Sequence, residues 1–279
     1  MLESGIPDNE IRMREPVNLV TSVAPHNVEN QRLAINSWLR AGFYVTSLNA
    51  QSEIDRSRRL FPEINFQPVT RDASSECGRP LVYLDDVFAY LRKNGSEVCG
   101  LINSDIHLRT DEATIRYAVE QARGSLLLAC RIDVESIDSR IGEVFKHGFD
   151  MFLFDRVILD LVPSSRFCLG QPWWDYWFPS CILGMQRQIP LKLVTFPFIA
   201  HIRHSSGWNR DRNFEKYGLH CMQYFDPARG RELMKQPTGQ LRQSIGTYSA
   251  EVAHAIWGHS RWLSHVQHAR HNRDTSPST

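Results

Sequence analysis

Val98-Cys99-Gly100-Leu101-Ile102-Asn103-Ser104-Asp105-Ile106-His107-Leu108 is the stretch whose reading decides the fold. A short apolar run ends in three polar residues, and apolar residues then resume. A run of this length with no helical period reads as a strand buried on both faces, as in a parallel sheet. Asn103 and Asp105 stand two apart, so an extended backbone sends both side chains the same way. That puts an amide and a carboxylate at the carboxyl edge of a sheet, where open α/β sheets bind ligands. Together they can hold a hard divalent cation or a ribose. Taken alone, the tripeptide also fits a turn, where Asn and Asp are common.

The flanking chain decides between these readings. Towards the N-terminus, residues 16–23 form a strand, 30–39 a helix closed by Gly42, and 43–49 a second strand. A short charged helix over 52–60 and a third strand over 64–69 follow. Strand alternating with helix in this way is the sequence form of a parallel sheet with right-handed crossovers. Towards the C-terminus come a helix over 81–94, the strand at 98–103, a helix over 111–122 with Asp111 near its cap, and a strand over 125–130. Asp150 to Asp155 is a buried run with an acid at each end. Residues 163–181 read as an aromatic loop, punctuated by Gly170, Pro172 and Pro179, with Asp175 among three Trp. A short helix over 181–189 and a strand from Leu191 to Phe198 lead into His201-Ile202-Arg203-His204. Residues 1–15 read as a flexible tail, 16–210 as the α/β domain, 211–268 as a mostly helical extension, and 269–279 as a disordered tail.

Across 279 residues, 42% are hydrophobic and 23% charged, which predicts a substantial core. A formal charge of +1 gives no bulk electrostatic reason for binding nucleic acid. The six cysteines form no CxxC, and a chain this long needs no disulfide staples, so a reduced, cytoplasmic setting is expected. The first residues lack the apolar core of a signal peptide, and no apolar run reaches about 18 residues, so no membrane span is expected.

The polar residues with chemical potential fall at strand ends. Asp105 with His201 or His204 would make an oxygen-and-nitrogen site for Mn²⁺ or Mg²⁺, and a diphosphate would complete so sparse a ligand set. Desolvation by neighbouring rings would raise the pKa of Asp175 and suit it to general base or acid work. Trp173 and Trp174 are expected to stack on a sugar while Asp175 takes its hydroxyls. Arg71, Arg79 and Arg203 stand near strand ends or turns and offer forks for phosphate. Asp85 and Asp86 do not share a helix face and make no metal clamp; Asp85 either faces the cleft with Arg79 or is solvated.

This arrangement resembles the GT-A glycosyltransferases, which use nucleotide sugars. The likeness covers about residues 16–210 and rests on the alternating elements and short motifs already quoted. It implies an α/β fold with a Rossmann-like, mostly parallel central sheet flanked by helices, followed here by the helical extension. Asn103-Ser104-Asp105 stands where the family has its Asp-x-Asp motif, with Asp105 matching the last carboxylate and Asn103 replacing the first. The resemblance places Thr21, Ser22 and Asn49 against the nucleoside, Arg79 in the segment crossing the donor, and His201 or His204 on the metal. Asp175, in Gly170-Gln171-Pro172-Trp173-Trp174-Asp175, falls where inverting members carry their base. The implied partners are a nucleoside diphosphate sugar and a hydroxyl acceptor, and the basic C-terminus could dock on an acceptor or a second subunit. Two other classes stay open at this point. One is a metal-assisted phosphohydrolase or nucleotidyltransferase, with Asp72 or Asp155 as a second carboxylate ligand. The other is a degenerate, non-catalytic module that binds sugars or partners.

Overall fold

A computed structural model of the protein describes residues 16–139, 141–185, 188–204 and 213–264. The tails expected over 1–15 and 269–279 lie outside the described residues. Strands β1 (Asn18–Thr21), β2 (Tyr44–Ala50) and β3 (Asn65–Val69) are parallel neighbours, connected through helices α1 (Val28–Arg40) and α2 (Ile54–Leu60). The chain then crosses back by α3 (Ser74–Cys77) and α4 (Leu84–Asn94) to β4 (Val98–Ile102), which pairs in parallel with the other side of β1. This reversal of strand order falls between β1 and β4, and the carboxyl ends of strands at such a point are where open α/β sheets bind ligands.

Beyond β4 the sheet continues through β8 (Met151–Asp155), β6 (Leu126–Val134), β9 (Leu191–Ile202) and β10 (Arg261–Leu263), giving the order β10-β9-β6-β8-β4-β1-β2-β3. Short strands β5 (Ile106–Leu108) and β7 (Glu143–Val144) pair with β9 and β6. The sheet is mostly parallel, as expected. Among the longer strands β8 is the exception, antiparallel to both β4 and β6, and the short strands β5 and β7 also pair antiparallel. The β8 run Met151-Phe152-Leu153-Phe154 is apolar throughout, and such a run carries no signal of direction.

Alternation along β4 divides the core. Cys99 and Leu101 join a cluster under α4, while Val98 and Ile102 join a second cluster with Ala34, Ile35 and Trp38 of α1. Helix α5 (Glu112–Ala122) closes the second face, and its start is fixed by Asp111, whose carboxylate accepts the Thr114 N–H at 2.7 Å. Each large apolar side chain so buried contributes about 1.5–3 kcal/mol.

The aromatic stretch corrects the sequence reading. Residues Trp174–Leu183 form helix α6 and not a loop, and seven of its ten residues are buried. Apolar on nearly all sides, it shows no amphipathic period, and Pro179 in its interior mimics a helix breaker. Helix α7 (Asn213–Phe225), α8 (Pro227–Leu233) and α9 (Thr238–His259) make the C-terminal helical extension and pack into the α6 side of the core. No helix among the described residues is long and apolar enough to cross a membrane. All six cysteines are free.

Candidate metal centre at the carboxyl edge of the sheet

Strand register brings the polar strand ends together. In the pairing of β5 with β9, Ile106 stands opposite His201; in the pairing of β6 with β9, Asp133 does. Residues Asn103 to Asp105 turn the chain from β4 into β5, so Asp105 arrives beside His201 from one flank and Asp133 from the other. His204 follows two residues after β9 and folds back. Its Nε2 lies 3.1 Å from Asp105 Oδ2 and 3.1 Å from His201 Nε2, and His201 Nε2 lies 3.4 Å from the same carboxylate oxygen. Atoms held at right angles about 2.1 Å from one ion are about 3 Å apart. One oxygen and two imidazole nitrogens therefore already stand at the spacing of neighbouring ligands on one divalent cation.

The electrostatics agree. Burial works to raise the Asp105 carboxyl, but hydrogen bonds and charge from His201 and His204 outweigh it and hold the group below the usual carboxylate range. It is ready to ligate as an anion at neutral pH. His201 Nδ1 donates to Asp133 Oδ1 at 3.1 Å, and a cation would take the place of the Nε2 proton that otherwise faces Asp105. A carboxylate behind a ligating imidazole in this way fixes the tautomer and orients the ring.

A second polar group lies behind the first. The Asn103 amide donates from Nδ2 to Asp150 Oδ1 at 2.8 Å, and its backbone N–H donates to the Asp150 carbonyl. Arg131 reaches both oxygens of Asp150 from Nη1 at 3.1 and 3.2 Å, and donates from Nε to Asp133 Oδ1 at 2.8 Å. Asp175, in the first turn of α6, accepts the Phe149 N–H at 3.1 Å. A methyl group on Gly148 would stand 2.8 Å from Asp175 Oδ2, so only glycine lets the carboxylate come this close to the backbone. Burial first, and then the charge of Asp150, push the Asp175 carboxyl up to about 7, against the Phe149 N–H and Arg131.

Several expected site residues are placed differently. Trp173 and Trp174 are 1% and 2% exposed and belong to the core, so neither presents a ring for sugar stacking. Trp173 donates from Nε1 to the Phe214 carbonyl and stacks on Tyr248. The guanidinium of Arg203 is engaged by Glu135 and Glu143, each at 3.0 Å, and is no open phosphate fork. Asn49 is buried, donating to the Val23 carbonyl and accepting from Ser47, so it braces the loop after β1. Thr21 ends β1 fully buried, with no partner for its hydroxyl among the described residues, and Ser22 and Ser104 are half-buried at the same edge. Arg79 is exposed in the turn after α3. Asp85 is not merely solvated; it accepts from the Ser165 N–H and Ser164 Oγ, with Arg71 nearby. Asp155 ends β8, an antiparallel strand, and so lies at the opposite edge, where it accepts from Gly124 and Val157. Asp72 closes a turn with the Ser74 N–H. Neither supplies a second carboxylate to Asp105. The acid that the sequence reading missed there is Asp133. Its signal was the alternation Arg131-Ile132-Asp133, which continues the strand past Cys130.

No protein-family model matches the sequence, and no curated protein is similar to it. Solved structures with a related arrangement include the inositol-1-phosphate CTP transferase from T. maritima, with a TM-score of 0.43, 11% identity, and coverage of 67% of this chain and 89% of that one. S. aureus TarS aligns with a TM-score of 0.47 and 11% identity over 88% of this chain, which spans 44% of that protein's chain. The mannosyltransferase PcManGT from Pyrobaculum calidifontis, solved with GDP-Man and Mn²⁺, aligns with a TM-score of 0.47 and 10% identity over 96% of this chain and 77% of that one. With identities of 10–11% and TM-scores of 0.43–0.47 these likenesses carry no argument, and the functional reading rests on the geometry of the site.

Proposed function

We propose that the protein is a metal-dependent glycosyltransferase that moves a sugar from a nucleoside diphosphate sugar to an acceptor hydroxyl. The observation that carries this reading is the convergence of Asp105, His201 and His204 on one point, with donor atoms 3.1–3.4 Å apart, just past the carboxyl end of β4. These three residues would hold the ion. When bound, a divalent cation there supplies positive charge against the diphosphate of the donor. Two of the three ligands are imidazoles, which suits Mn²⁺ better than the oxygen-preferring Mg²⁺.

Ser22 and Ser104, half-buried just after β1 and β4, are the residues proposed to contact the nucleoside, and Thr21, fully buried at the end of β1, would support them from behind. Arg79, exposed in the turn after α3, is the residue proposed to contact the donor phosphates. Asp175 is the proposed base. A carboxyl pushed up to about 7 by burial and by Asp150 is matched to drawing a proton from an acceptor hydroxyl near neutral pH as that oxygen attacks. Attack from the face opposite the leaving diphosphate would invert the anomeric centre.

The test is release of nucleoside diphosphate from a panel of UDP-, GDP-, CDP-, ADP- and TDP-sugars, with Mn²⁺, with Mg²⁺ and without metal. One donor class should turn over with Mn²⁺ and fail in Asp105→Ala. Turnover unaffected by removing the metal, or none with any donor in folded protein, would overturn the reading.

A further inference from the structure

We propose that Arg131 is a positioning residue that joins the two polar groups of the site. One guanidinium holds Asp133 behind the ligand His201 and, on its other side, holds Asp150 between Asn103 and Asp175. The inference rests on the metal site proposed above and adds a role for residues outside the ligand set.

The geometry is specific. Arg131 spends separate atoms on the two acids: Nε on Asp133 at 2.8 Å, Nη1 on both oxygens of Asp150. Its side chain is 14% exposed, and its guanidinium carbon lies 4.1 Å from the centre of the Phe145 ring, which covers one face. The Phe145 N–H in turn donates to the Arg131 carbonyl at 3.0 Å. The planar fork is thus fixed from three directions, and a lysine could not divide its single ammonium in the same way. On the metal side, Asp133 Oδ1 takes hydrogen bonds from both Arg131 Nε and His201 Nδ1. Arg131 therefore holds the carboxylate that selects the tautomer of His201. On the other side, the charged groups facing Asp175 are Asp150 and Arg131, with the thiols of Cys130 and Cys221 also near. Arg131 neutralises Asp150 there, so the ionised base is opposed by a compensated acid and not by a bare one. The same Asp150 holds the Asn103 amide. This explains why an amide serves at 103: a carboxylate in that place would meet a second carboxylate at hydrogen-bond distance.

The experiment measures Mn²⁺ binding by isothermal titration, without any substrate, in wild type, Asp133→Ala, Asp133→Asn and Arg131→Met. Loss of a partner behind a ligating histidine costs about 10–100-fold in metal affinity. Asp133→Ala should show that loss, and Asp133→Asn, which keeps an oxygen to accept from His201 Nδ1, should recover most of it. Carboxyl ¹³C NMR of Asp175, assigned by its absence in Asp175→Asn, should show its titration moving to higher pH in Arg131→Met. Arg131→Met should also bind Mn²⁺ about 10-fold more weakly, and if it fails to fold, Arg131→Lys, which keeps the charge and not the fork, takes its place; unchanged Mn²⁺ affinity and unchanged Asp175 titration in the folded Arg131 variant overturn the inference. Unchanged Mn²⁺ affinity in Asp133→Ala overturns the inference while leaving the metal site standing. A wild type that binds no Mn²⁺ overturns the metal site itself.

Discussion

Asp175 ties function and stability together at the scale of one side chain. Its folded-state pKa, pushed up to about 7, lies above the ordinary carboxylate value. A carboxyl raised on folding favours the native state below its unfolded pKa, and that advantage is lost as pH rises through the folded value. Stability should therefore fall between about pH 4 and pH 7. Asp175→Asn should remove this dependence and be more stable than wild type at pH 8 by about 1–3 kcal/mol, with the difference shrinking towards pH 4. Urea unfolding at the two pH values checks it. The same variant should lose about 10²–10⁴-fold in transfer rate. Single residues were partly legible in the sequence. Asp105, His201 and His204 could be picked out because each follows a run readable as a strand. The function of Asn103 could not, because its partner Asp150 is 47 residues away on a strand whose direction was not visible. Trp173 and Trp174 misled for a plain reason: rings on a buried helix and rings on a binding loop have the same composition.

Helix α6 shows how an element is held in an unexpected place. Trp173 begins it with φ 79°, a left-handed conformation costly for any residue but glycine. The indole is kept there by its hydrogen bond to Phe214, by Tyr248, and by the lack of a side chain at Gly218 of α7. A methyl group at 218 would stand 2.7 Å from Trp173 Cζ2 and would also clash with Ile245. Gly218→Ala gains about 1 kcal/mol in helix propensity. Overpacking costs about 1–3 kcal/mol, so the variant should be less stable and its Tm lower. Helix α5 offers a cleaner case: Asp111→Ala removes the acceptor for the Thr114 N–H and should cost about 1 kcal/mol by denaturant titration. That cap was readable from sequence because it is local. Strand β8, placed between β4 and β6, was not, since pairing partners far apart in sequence leave no local trace.

For the whole molecule, the mostly parallel sheet and its reversal between β3 and β4 create one carboxyl edge. Register then delivers Asp105, Asp133 and His201 to it side by side. A ligand that binds only the folded state raises its stability, by about 2.7 kcal/mol at a hundred times its Kd. Metal and nucleotide should therefore be felt globally, although only a few residues touch them. The most direct measurement is the thermal unfolding of wild type and Asp105→Ala with UDP, GDP, CDP, ADP and TDP, each with and without Mn²⁺. Mn²⁺ should raise the Tm of wild type, one nucleoside diphosphate should raise it further only when Mn²⁺ is present, and Asp105→Ala should show neither shift. Equal shifts in both proteins, or none in folded wild type, would contradict it.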